Sequence, residues 1–179
     1  MKEKGKEKVA SGQENHSELL INAYFQEQIK KPGLLFCLPD ISRWNDAESF
    51  IRQVLKEFPQ AEALIYFDQK KAEPKPEGSH FLTIDKRDFS FFGKEKTVLK
   101  KWLSGHHFDL LLIFADKGTD RCFRLIKGIK AKLKAANGIR IENSPVDISL
   151  KNTGKQEDYQ AFYKAFKAYF KQLNIKLLP

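Results

Sequence analysis

Apolar runs without alternation, separated by stretches at helical spacing, recur along the chain. The longest, His107-Phe-Asp-Leu-Leu-Leu-Ile-Phe-Ala115, stops at Asp116 and leads through Lys117-Gly118-Thr119 into a helical pattern. A strand covered on both faces is apolar without alternation, the mark of a parallel sheet flanked by helices. Gly33 to Leu38 and Glu62 to Phe67 are runs of the same kind, and His80 to Ile84 is a shorter one. Ile139 to Glu142 and the alternating Pro145 to Leu150 complete the expected strands.

Helical spacing fills the intervals. Ser17 caps a helix through Leu19, Leu20, Ala23, Tyr24 and Ile29, which Pro32-Gly33 closes. From Asn45, one face collects Ala47, Phe50, Ile51, Val54, Leu55 and Phe58, and Pro59 ends it. Thr97 to Leu103 places Val98, Leu99, Trp102 and Leu103 together before Gly105. The spacing predicts a long helix from Thr119 to about Ala135, with Cys122, Leu125, Ile126, Ile129 and Leu133 inward and Arg124, Lys127, Lys130 and Lys134 outward. A last helix from Glu157 to Leu173 carries Tyr159, Phe162, Tyr163, Phe166, Tyr169, Phe170 and Leu173 on one face as core.

Strands joined by helical connections of this length pair in parallel through right-handed crossovers. The expected class is α/β, a three-layer Rossmann-like arrangement with a mostly parallel sheet of five or six strands. Residues 1–15 are polar and read as a disordered tail, leaving 16–179 as one domain. The Pro74, Pro76 and Gly78 segment is an irregular linker, and Asp85 to Lys96, with three phenylalanines, is expected to pack down onto the body and seal the sheet end.

Composition adds two constraints. Fifteen Phe against one Met and two Trp make aromatic rings the main core filler. A net charge of +9 favours a polyanionic partner, although a solvated surface explains such charge equally. The two cysteines, Cys37 and Cys122, fall in apolar patterns without metal-ligand spacing and are expected as buried, reduced thiols. Met1 to Lys8 alternates charges and does not form a secretory signal, and no run is apolar enough to span a membrane. A cytoplasmic location is expected by elimination.

Candidate chemistry gathers where strands end. In open parallel sheets, ligands bind beyond the carboxyl ends of the strands, which selects Asp116, Lys117, Gly118 and Thr119, with Asp40 after the first strand and Lys94 in the aromatic loop. A helix start offers free N–H groups and a favourable dipole to an anion. The competing reading is a capped helix start at Thr119 with Gly118 supplying a turn. Asp40, Asp68, Asp85, Asp116 and Glu142 all follow strands, where an aspartate also serves simply to accept backbone hydrogen bonds. Arg124, Lys127, Lys130 and Lys134 form a basic stripe that would track phosphates if it were more than a solvated helix face. His106-His107 is the only histidine pair, and its members point to opposite faces. No catalytic set, metal site or cofactor motif follows from these residues.

Two resemblances bear on the fold. Phe58-Pro59-Gln60-Ala61-Glu62, with His107-Phe108-Asp109-Leu110-Leu111 running on to Lys134-Ala135-Ala136-Asn137-Gly138, resembles the amino-terminal half of heptosyltransferase-type glycosyltransferases, whose Rossmann-like domain binds the acceptor sugar. Pro39-Asp40-Ile41-Ser42 stands where those enzymes carry a glycine-acidic turn. Asp88-Phe-Ser-Phe-Phe-Gly-Lys94 followed by the Phe-Asp-Leu-Leu strand is similar to a family of short, uncharacterised bacterial α/β proteins, over roughly residues 30–175. The expected function is therefore a non-catalytic module that binds an anionic small molecule or a macromolecular partner. The alternatives are a reduced or partner-dependent glycosyltransferase half and a nucleic-acid accessory protein.

Overall fold

The structure, a computed structural model, describes residues 29–115, 119–137, 145–150 and 158–177, with side chains in the last segment through residue 172. The elements are β1 (Pro32–Leu38), a 3-10 turn (Ile41–Arg43), α1 (Trp44–Glu57), β2 (Glu62–Phe67), β3 (Phe81–Ile84), a second 3-10 turn (Lys86–Asp88), α2 (Thr97–Gly105), β4 (His107–Ala115), α3 (Asp120–Gly128), β5 (Lys130–Asn137), β6 (Ile148–Leu150) and α4 (Tyr159–Leu177). The tail and the helix expected from Ser17 lie outside the described residues, apart from Ile29, which is buried.

The six described strands form one sheet in the order β3-β2-β1-β4-β5-β6, and every neighbouring pair is parallel. All carboxyl ends therefore emerge on one edge. The order reverses between β1 and β4, which makes their carboxyl ends the topological switch point of a doubly wound sheet.

Successive strand residues feed two cores. Leu34, Phe36 and Leu38, with Ile65 and Phe67, and Leu112 and Phe114, pack on one side against α1 and α4. Leu35 and Cys37, with Leu64 and Tyr66, and Leu111 and Ile113, pack on the other against α2 and α3. Both faces are dry, so the period-two signal vanishes from the sequence. Phenylalanine fills the first core: Phe36 stacks on Phe114 at 4.7 Å, and Tyr159 and Phe162 of α4 meet Phe114 edge-on at 5.2 Å each. Glu57 of α1 joins the two helices, accepting from the Tyr163 hydroxyl at 2.9 Å and pairing with Lys167 at 2.7 Å.

The long helix expected from Thr119 ends at Gly128, and residues 130–137 form a strand instead. Lys-Ala-Lys-Leu-Lys-Ala-Ala-Asn favours a helix locally, but the open edge of β4 supplies backbone partners from His107↔Lys130 to Ile113↔Ala136, and tertiary pairing overrides propensity. The strand expected at residues 139–142 lies outside the described residues.

A second correction concerns the cysteines. Cys37 and Cys122 are joined as a disulfide with Cα atoms 6.1 Å apart, rather than standing as separate thiols. The strand-end position of Cys37 and the first turn of α3 meet across the switch point, a proximity that sequence spacing across 85 residues does not reveal.

Gly33 is required by packing. A Cβ at this position would lie 2.6 Å from the Phe108 ring, whose own space is closed by Trp102 and His106. Gly33→Ala is expected to destabilise the fold by about 1–3 kcal/mol, measured by urea denaturation at unchanged slope. The double variant Cys37→Ala/Cys122→Ala is expected to lose about 2–4 kcal/mol, and reductant should lower the melting temperature of the parent protein but not that of the variant.

Candidate functional site at the carboxyl edge of the sheet

The described strand-end aspartates, Asp40, Asp68 and Asp85, are committed to structure. Asp40 caps the first 3-10 turn, accepting from the Ser42 amide at 2.8 Å, and these Ser42 hydrogen bonds hold its carboxyl below the usual range. Asp68 accepts from the Tyr66 hydroxyl at 2.7 Å and pairs with Lys86 at 3.1 Å. Asp85 is wholly buried and closes a capping box with Asp88. It also receives the Arg87 guanidinium at 2.8 Å and the Ala72 amide at 3.1 Å, with Lys75 at 3.5 Å. Asp85 thus ties the irregular linker to the loop after β3. Of the two remaining carboxylates expected at this edge, Asp116 and Glu142 both lie outside the described residues, as do Lys117 and Gly118.

Thr119 is the N-cap of α3, its side chain accepting from the Cys122 amide at 3.3 Å. Thr119 thus has the cap role expected of it, while the turn expected of Gly118 lies outside the described residues. Arg121 stands in the first turn, where a cation opposes the helix dipole. Its guanidinium lies over the Phe89 ring at 5.8 Å. It also acts on the Tyr66 hydroxyl, whose pKa burial and Asp68 drive upward and Arg121 draws down. The Nε atom of Arg121 is buried without a hydrogen-bond partner among the described residues.

The aromatic loop approaches the same helix. Phe89 is buried and meets Tyr66 at 5.8 Å, while Gly93 lies against the Arg124 guanidinium, where a Cβ would come within 3.5 Å of Nη2. The loop therefore packs down through Phe89 alone. Phe91 and Phe92 do not seal the sheet end, because they are 97% and 81% exposed. Lys94 is exposed on this loop and has no ion pair among the described residues.

The basic stripe is dismantled by the break between α3 and β5. Arg124 and Lys127 remain exposed on α3, but Lys130 and Lys134 belong to the strand. Lys134 is buried, donates from Nζ to the Ile126 carbonyl at 2.7 Å, and has its pKa lowered by burial against the opposing charge of Asp147. Arg124, Lys127, Lys130 and Lys134 therefore form no continuous helical track.

A shallow cavity of about 300 Å³ opens at the opposite, amino edge, lined by His107, Phe108, Asp109, Lys130, Ala131 and Lys132. Its acid is already engaged: Asp109 accepts from the amides of Lys30 and Lys31 at 3.1 and 3.0 Å and pairs with Lys132 at 2.7 Å. His106 turns away from His107, bonding to the Trp102 carbonyl and to Glu62. The carboxyl edge, where Arg121 is underused, is the stronger candidate. Among the described residues no group of three or more His, Cys, Asp or Glu side chains is placed to hold a metal, and no helix is long and apolar enough to cross a membrane.

Sequence reasoning located this edge but missed Arg121 and the disulfide. A basic residue one position after the aspartate that opens a helix was the available signal for Arg121. Together these elements define a doubly wound, all-parallel α/β protein with a cationic group at its switch point. The chain belongs to a family of unknown function, DUF6913, whose model matches residues 2–173. No curated protein matches it. Among solved structures, it is similar to a glycosyl transferase family 9 protein from Veillonella parvula DSM 2008, at 16% identity and a TM-score of 0.40, covering 59% of this chain and 31% of that one.

The Asp85 carboxyl is raised by burial, but the Arg87 and Ala72 hydrogen bonds and Lys75 outweigh this and hold it at about 2. With an unfolded value near 3.9, its stabilisation is present above pH ~4 and lost as pH falls toward 2, on the order of 2 kcal/mol. Asp85→Asn should flatten that acid limb of stability, as read from denaturation midpoints across pH.

Proposed function

We propose that this protein is a binding module for an anionic ligand, held at the carboxyl edge between β1 and β4 beside the start of α3. Arg121 carries the reading. A guanidinium in the first turn of a helix, bonded to the Tyr66 hydroxyl but with its Nε buried and without a hydrogen-bond partner among the described residues, keeps one donor for an acceptor. A phosphate or carboxylate there would meet both the guanidinium and the positive end of the helix. The aspartates of the same edge bond to backbone and to cations, which favours holding a ligand over acid–base work on one. Exposed Arg124, one turn further along α3, adds positive charge to the same helix start. A cytoplasmic placement competes with the Cys37–Cys122 disulfide, a bond characteristic of oxidising compartments.

Calorimetric titration with inorganic phosphate and with a nucleoside diphosphate tests the reading. Arg121→Ala should weaken the bound anion on the order of tenfold, as expected for one charge-assisted hydrogen bond in a partly dry site. Lys130→Ala, at the opposite edge, should leave it unchanged. Equal affinities for the parent protein and Arg121→Ala would place the ligand elsewhere, and absence of binding by any anion would end the proposal.

A further inference from the structure

The hairpin after β3 is built to hold two phenylalanines outside the protein. Its base is the antiparallel bridge between Phe89 and Glu95, and its tip is a tight turn in which the Gly93 amide donates to the Ser90 carbonyl at 2.8 Å. The Ser90 amide donates to the Lys94 carbonyl at 2.7 Å, the Lys94 amide donates to the Ser90 hydroxyl at 3.0 Å, and Gly93 takes φ +74°. Phe89 anchors the base in the core, and Lys96 donates its amide to the Asp88 carbonyl at 2.9 Å. The turn is thus fixed from both sides. Its two corner positions, ordinarily given to Gly, Pro, Asn, Asp or Ser, are Phe91 and Phe92.

Nothing in the fold accounts for those rings. They touch each other edge-on at 5.5 Å and are 97% and 81% exposed, while Val98, at the start of α2, is 65% exposed. These three make up most of the large exposed apolar side chains among the described residues, and they fall within eight consecutive positions. Exposed Lys94, Lys96, Lys100 and Lys101 belong to the same short segment, and Arg124 lies beneath Gly93. None of these cations is in an ion pair among the described residues, and Glu95 is the one acid within the segment from Phe91 to Lys101.

We propose that the Phe91-Phe92 tip and its lysine collar dock the protein on an anionic bilayer surface, the rings entering the headgroup and acyl boundary and the cations meeting the lipid phosphates. Shape and charge together select this occupant. The tip is convex and small, whereas a stable protein partner covers on the order of 800 Å² of each surface, so two rings and a valine are too little area for one. A bilayer needs depth instead of area, and accepts any rigid apolar projection fringed by cations. Each basic side chain near an anionic leaflet adds to the attraction, which falls off within a Debye length.

Vesicle sedimentation with the full chain tests the proposal, using phosphatidylcholine alone and phosphatidylcholine mixed with phosphatidylglycerol. The parent protein should sediment with the mixed vesicles, weakly or not at all with neutral ones, and should be released by salt. Phe91→Ser/Phe92→Ser should weaken binding about tenfold or more, from the lost apolar burial, with melting temperature unchanged because both rings lie in solvent. Lys94→Glu/Lys96→Glu should abolish the preference for phosphatidylglycerol. Arg121→Ala, which tests the anion site, should still bind vesicles, so the two readings fail separately. No sedimentation with mixed vesicles, undiminished sedimentation of the double serine variant, or self-association that depends on the phenylalanines without vesicle binding would each overturn the proposal.

Discussion

The fold rests on one constraint: β1 and β4 are buried on both faces and at both edges, so their backbone groups must find partners in the sheet. β1 pairs with β2 along Gly33 to Leu38 and with β4 along Pro32 to Cys37, leaving little of its length without neighbours. An unpaired backbone group in this dry interior is costly, and the pairing therefore extends outward from the centre strand by strand. Because the strands are parallel, their connections cross a face, and those from β1 to β2, β3 to β4 and β4 to β5 carry α1, α2 and α3, which help keep both faces dry. The site follows from the same arrangement. Parallel strands deliver all their carboxyl ends to one edge, and the strand order reverses there beside β1, the place where sheets of this kind hold ligands.

That logic explains which parts of the protein were legible in its sequence. β1, β2 and β4 declared themselves as unbroken apolar runs, α1 through its apolar face, and α4 through Tyr159, Phe162, Tyr163 and Phe166, although Tyr169, expected in the same core, is exposed. β5 did not, because its lysines and alanines have helical preference and only the partner strand turns them into sheet. Lys134 shows the same limit from the side-chain end. Read as an outward cation on a helix, it is a buried amine bonded to the carbonyl of Ile126, since a strand at that place points it inward under α3. The disulfide was invisible for a different reason: Cys37 and Cys122 become neighbours only when the switch point is assembled.

At the carboxyl edge, Asp116, Lys117 and Gly118 lie outside the described residues, and Asp40, Asp68 and Asp85 take the backbone- and cation-binding role that the sequence also offered. Aspartates after strands turned out to be caps and ion-pair partners, the commonest service such a residue performs at a strand-to-helix junction. The informative group was a cation in an unfavourable electrostatic position, Arg121, because a fold tolerates such a placement only when something offsets it. Phe89 and Tyr66 offset it partly, through the ring beneath the guanidinium and the hydroxyl beside it.

The hairpin from Phe89 to Glu95 links the two ends of this reasoning. Its buried phenylalanine lies under Arg121, and its exposed pair stands at the far side of the same short loop. The backbone bonds at Ser90, Gly93 and Lys94 hold the loop in one turn, which keeps the buried ring and the exposed pair on opposite sides of it.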